Sequence, residues 1–124
     1  MTHFAESDLL QGLIDAALVG SWLVHHDRPA RTSEGWATAI QGHAGFPDII
    51  AVHPERHQLL VLECKSATGR TTPLQDAWLD ALRACGVDAR VVRPDSYDEL
   101  WRQLVGERLV KARSWRSHPE NDEP

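Results

Sequence analysis

Nothing in this chain is long and apolar enough to cross a bilayer. The longest apolar stretch, Ala16 to Val24, is interrupted by Gly20 and Ser21 and stopped by His25 and His26. That falls well short of the ~20 residues a membrane helix requires. The opening residues, Met1-Thr2-His3-Phe4-Ala5-Glu6, hold no basic lead-in and no cleavage pattern, so no secretory leader is expected. Cysteine is scarce as well. Cys64 and Cys85 alone make no disulfide framework, and both are expected to be reduced, small buried fillers in a cytoplasmic protein. The seven histidines lack zinc-ligand spacing. His25 and His26 are adjacent, which on a strand sends them to opposite faces, and His43, His53 and His57 form no pattern. Internal repeats are absent.

Basic charge is lacking too. The net charge of −5 argues against a simple nucleic-acid coat. Part of that excess sits in the last six residues, where Glu120, Asp122 and Glu123 leave 15 acids against 13 bases for the remainder. Setting aside three further acids for a metal site brings the body to +1. Arginine supplies 11 of the 13 bases, which suits bidentate phosphate contacts but equally fits a compositional bias.

What is present describes one domain. The 124 residues, 42% hydrophobic and 25% charged, suffice for a single core. Leu9, Leu10, Leu13, Ile14, Ala17 and Leu18 recur at helical spacing and predict an amphipathic helix over residues 6–18. Residues 21–25 read as a strand, and residues 27–46 as a long aperiodic loop of the kind that is more often functional than filler. Residues 47–52 and 58–65 read as a hairpin joined by Pro54-Glu55-Arg56-His57. Thr72-Pro73-Leu74-Gln75 is a strong helix start, with Trp78 in the core stripe and Gly86 as the stop. A strand over 87–92 follows. A last helix is expected from a Ser96/Glu99 capping box to about Leu109, with Trp101 facing the core. The order α-β-β-β-α-β-α predicts an α/β fold, a small mixed central sheet flanked by helices. Residues 1–110 are expected to be one domain and 111–124 a polar, disordered tail.

The chemistry concentrates on the second hairpin strand. Alternation puts Leu60, Leu62 and Cys64 on one face and Leu59, Val61, Glu63 and Lys65 on the other. A carboxylate and an amine at the end of a core face must be exposed, paired or bound to a metal. Asp48 opens the partner strand after Gly45-Phe46-Pro47, and antiparallel pairing can bring it level with Glu63. Two carboxylates side by side raise one another's pKa unless a cation lies between them, and hard oxygen ligands suit magnesium. Glu6 continues the apolar stripe of the first helix one turn further. It can complete the cluster, or serve only as an acid favoured by the helix dipole.

Taken together, Glu6, Gly45-Phe46-Pro47-Asp48, Glu63-Cys64-Lys65, Thr72-Pro73-Leu74-Gln75, Trp78-Leu79-Asp80-Ala81-Leu82, Gly86 and Val91-Val92-Arg93-Pro94-Asp95 resemble the VRR-NUC domain. That family is a branch of the PD-(D/E)XK nucleases, whose small stand-alone form is common in bacteriophages. The resemblance spans about residues 6–104 and implies a restriction-endonuclease-like core. It implies that Asp48, Glu63 and the Cys64 backbone carbonyl bind Mg2+, with Mn2+ able to substitute, and that Glu6 is an outer ligand or acts through a water. Lys65 would orient the attacking water and offset charge on the phosphate. Gln75 would contact that water or the scissile strand, a role compatible with its place in the capping box. A cysteine inside the Glu-x-Lys departs from the usual pattern, at a position that contributes only its carbonyl.

The implied activity is hydrolysis of DNA phosphodiester bonds by an endonuclease, leaving 5′-phosphate and 3′-hydroxyl ends. Branched DNA or Holliday junctions are the expected substrate and a homodimer the expected assembly, in the cytoplasm of a bacterial host if the chain is phage-encoded. Membrane contact is not expected. Arg28, Arg31 and Trp36 in the long loop either clamp a DNA strand or, in the case of Trp36, anchor the loop. Two alternatives remain: a DNA-binding module on the same fold that is non-catalytic or needs a partner, and a metal hydrolase built on the histidines.

Overall fold

The computed structural model describes residues 5–27, 30–32, 35–37 and 40–106. A mixed four-stranded sheet is its centre. The strands are β1 (Leu23–His26), β4 (Ile49–His53), β5 (Gln58–Cys64) and β6 (Asp88–Val92), lying side by side in that order. A two-stranded ribbon, β2 (Ala30–Thr32) with β3 (Gly35–Ala37), interrupts the run between β1 and β4. Among the described residues three helices flank the sheet: α1 (Glu6–Val19), α2 (Pro73–Ala84) and α3 (Tyr97–Val105), the last entered through a short 3-10 turn over Pro94–Ser96. The expected α/β order therefore holds, with the ribbon added.

Side-chain alternation on β5 divides the interior into two layers. Leu60, Leu62 and Cys64 face α1 and α3, where Leu9, Leu13, Ala16, Ala17, Leu100 and Leu104 close the larger core. Val61 faces the opposite way, against Leu79 of α2 and Ala89 of β6. Because β5 and β6 run parallel, the chain must cross the sheet between them, and α2 makes that crossover. The crossover sets the N-terminus of α2 beside the C-terminal end of β5. Glu63, of the same parity as Val61, is thus carried toward that terminus.

Thr72 caps α2 as its sequence predicts. The Thr72 hydroxyl accepts from the Gln75 N–H, and the Gln75 side-chain oxygen accepts from the Thr72 N–H. Upstream, the segment that delivers Asp48 passes close over this helix start. Gly45 has φ +95°, and a Cβ there would lie 2.7 Å from the Leu74 carbonyl carbon, so only glycine satisfies both the backbone angle and the approach.

Several expectations need correction. The aperiodic segment 27–46 contains the β2–β3 ribbon. Ser21 adopts a left-handed conformation at φ 66°, so the first strand begins at Leu23. The Ser96/Glu99 capping box does not form: the Ser96 hydroxyl turns back to the Arg93 N–H and carbonyl, and the 3-10 turn precedes the helix. Trp78 is not in the core stripe. Leu79 is, whereas the Trp78 indole N–H donates to the Ala44 carbonyl and its ring meets Phe46 edge-on at 4.9 Å. Cys64 is buried but Cys85, at the C-cap of α2, is exposed. Trp101 packs against the larger core as expected. Helix α3 is described to Val105, with Gly106 at its C-cap. The expected extension to Leu109 and the tail from residue 111 lie outside the described residues. Among the described residues no helix is long and apolar enough to cross a membrane.

Candidate metal centre

Backbone register assembles the site. Ile49 pairs with Leu62, so the next step of the same antiparallel ladder sets Asp48 opposite Glu63. The N-terminus of α1 adds Glu6 from the other layer. One oxygen from each of Glu6, Asp48 and Glu63 lies within 4.8 Å of the others, and Glu63 is the buried member at 2% exposure.

Each of the inner carboxylates is held by a neighbour. The Cys64 backbone N–H donates to Asp48 Oδ2 at 2.7 Å. The Gln75 side-chain N–H donates to Glu63 Oε2 at 3.2 Å while its oxygen completes the α2 cap, so one amide serves both places. The Lys65 ammonium lies 3.7 Å from the same Glu63 oxygen, with its side chain only 11% exposed. Glu63 Oε1 is buried and has no hydrogen-bond partner among the described residues.

This environment is unfavourable to the bare anion. Burial pushes the Glu63 carboxyl up to about 8, reinforced by the charge of the adjoining Asp48 carboxylate. Lys65 pulls the other way and does not prevail, and Glu6 adds a smaller upward push. Burial likewise pushes the Cys64 thiol far above its usual range, with Asp48, Glu63 and Glu6 adding to it, so its sulfur is not an anionic ligand. A partnerless buried oxygen amid converging carboxylates is the donor set that a hard divalent cation satisfies. The residues present fit such an ion.

The same shift fixes a pH dependence. The folded chain keeps a proton on Glu63 that the unfolded chain releases above its ordinary value of 4.5. Metal-free stability from this group is complete below that value and is lost as pH rises through about 8. A cation replaces the proton, so its stabilising effect grows over the same window. Melting temperatures in EDTA and in Mg2+ should nearly coincide at about pH 5 and separate at about pH 9.

The histidines build no metal site among the described residues. His53 is buried between the Gly20 carbonyl and the Arg56 N–H, with its ring edge-on to Trp22. His25 meets the Asp27 carboxylate at the surface. His26 turns inward to the Asp48 carbonyl, a contact that the sequence showed only as the opposite facing of two adjacent residues. Arg31 and Trp36 are backbone partners across the β2–β3 ribbon. Arg28, and the side chains of Arg31 and Trp36, lie outside the described residues, and with them the expected DNA contact.

A restriction-endonuclease-like core with an acidic cluster at adjoining strand ends is the arrangement of a metal-dependent nuclease active site. Residues 23–95 match the VRR-NUC domain, and the chain belongs to that family. No curated protein matches it. Glu6 falls before the matched residues, and it is the folded geometry that brings its carboxylate to the other two.

Proposed function

We propose that this protein is a magnesium-dependent endonuclease that hydrolyses DNA phosphodiester bonds. The observation that carries the reading is the convergence of Glu6, Asp48 and Glu63, with the Lys65 ammonium beside them. Asp48, Glu63 and the Cys64 carbonyl would hold the ion, with Glu6 at its outer side or acting through a water. When bound, the ion supplies Lewis-acid activation of water and neutralisation of phosphate charge. Lys65 orients the attacking water and offsets the charge that grows on the phosphoryl oxygens. The water oxygen bonds to phosphorus and gives up a proton to solvent as the P–O3′ bond breaks, and the departing O3′ takes up a proton from solvent, so that one water is added across the bond overall. The products are a 5′-phosphate and a 3′-hydroxyl. Gln75 keeps Glu63 in its metal-facing rotamer by donating to Oε2.

Membership of a nuclease family implies contact with DNA. We assign branched DNA, including four-way junctions, as the substrate, because so small a domain has little surface left for reading sequence. Paired incisions across a junction need two sites, so the active form is a homodimer. The described residues 5–106 belong to one nuclease domain. Cleavage of matched four-way-junction and linear duplex DNA in Mg2+, with end-group analysis, tests this directly. Faster junction incision with 5′-phosphate ends is expected. Binding without incision on every substrate would favour a partner-dependent DNA-binding module instead.

A further inference from the structure

The β1–β4 ladder ends at the pair His26–Ile49, one residue short of Asp48. Beyond that pair the His26 ring makes a further link, its Nδ1 lying 2.8 Å from the Asp48 carbonyl oxygen. A carbonyl oxygen only accepts, so Nδ1 carries the hydrogen and the ring donates. On the other side, Asp48 Oδ2 accepts from the Cys64 N–H of β5 at 2.7 Å. Asp48 is therefore gripped from both neighbouring strands, by its backbone from β1 and by its side chain from β5. Pro47, just before it, has no N–H with which to steady the segment.

We propose that His26 is a positioning residue for the metal centre: its Nδ1–H holds the Asp48 backbone so that the carboxylate stays aimed at the ion shared with Glu63. This rests on the metal-centre reading above. Partners that orient a metal-binding side chain typically change affinity by tens of fold, because a misaligned ligand must be reordered each time the ion binds. The neighbouring His25, engaged with Asp27 at the surface, has no such link and serves as the control.

The test is Mn2+ binding to the full chain, read from the free-ion paramagnetic resonance signal, together with a melting curve for each variant. His26→Asn places an amide N–H where Nδ1 stood, whereas His26→Gln places one further out, where Nε2 stood. His26→Ala and His26→Gln should weaken Mn2+ binding about tenfold, while His26→Asn and His25→Ala bind as the parent does. Parental affinity in His26→Gln, or loss in His26→Asn equal to that in His26→Gln, overturns the proposal. Should His26→Ala fail to fold, the contrast between Asn and Gln still decides. A parent chain that binds no Mn2+ would instead refute the metal centre itself, a distinct result.

Discussion

Asp48→Asn should lower Mg2+-dependent DNA cleavage about a thousandfold or more, the equivalent of about 4 kcal/mol of transition-state stabilisation. The metal-free protein should be no less stable for it. Both effects follow from one charge. Asn keeps an oxygen that can accept from the Cys64 N–H, so the local geometry survives. It removes the anion whose field, after burial, does most to raise Glu63. Glu63 then ionises at lower pH and its burial is less strained, while the cation loses an anionic ligand. Activity and metal-free stability thus move apart, as expected where a site stores repulsion for its ligand. Cleavage rates and melting curves in EDTA for the two proteins check this. An active Asp48→Asn variant, or one that is inactive only because it unfolds, would contradict it.

Lys65→Ala should reduce the cleavage rate about a hundred- to a thousandfold by removing a cation stationed for developing phosphate charge. Its effect on metal should be different in kind. The ammonium lies 3.7 Å from Glu63 Oε2 and lowers that carboxyl's affinity for a proton, but it also repels an incoming cation. Above the titration of Glu63, the variant should therefore bind Mn2+ at least as tightly as the parent. Single-turnover rates and Mn2+ affinities measured together separate the two roles. Loss of metal binding in step with loss of rate would make Lys65 a support for the site rather than a participant in the reaction.

How far the sequence displays this site depends on which physical signal each part carries. Strand alternation and a short turn showed that antiparallel pairing can bring Asp48 level with Glu63, since a one-residue slip would turn every side chain to the other face. The observed Ile49–Leu62 pairing is that register. The α2 cap was equally legible, since Thr72, Pro73 and Gln75 each satisfy a separate demand of a helix start. Glu6 was legible through the apolar stripe behind it, although the fully buried positions are Leu9, Leu13, Ala16 and Ala17.

The misses share a cause. Strands of three residues, as in the ribbon, are too short for a period to show. Ser96 suited a cap on composition, but Pro94 began a tighter turn and Arg93 took the hydroxyl. Trp78 and Leu79 are neighbours on a helix, and only tertiary packing decided which one entered the core. The His26 link is a side-chain donor to a backbone acceptor across two strands, a contact with no sequence period at all.

Anomalous diffraction from crystals of the protein grown with Mn2+ locates the ion among these carboxylates. One strong peak is expected in contact with a carboxylate oxygen of Asp48, the buried Oε1 of Glu63 and the carbonyl of Cys64, with Glu6 at its outer side. A manganese ion seated on histidines, or a peak that touches neither Asp48 nor Glu63, would contradict it.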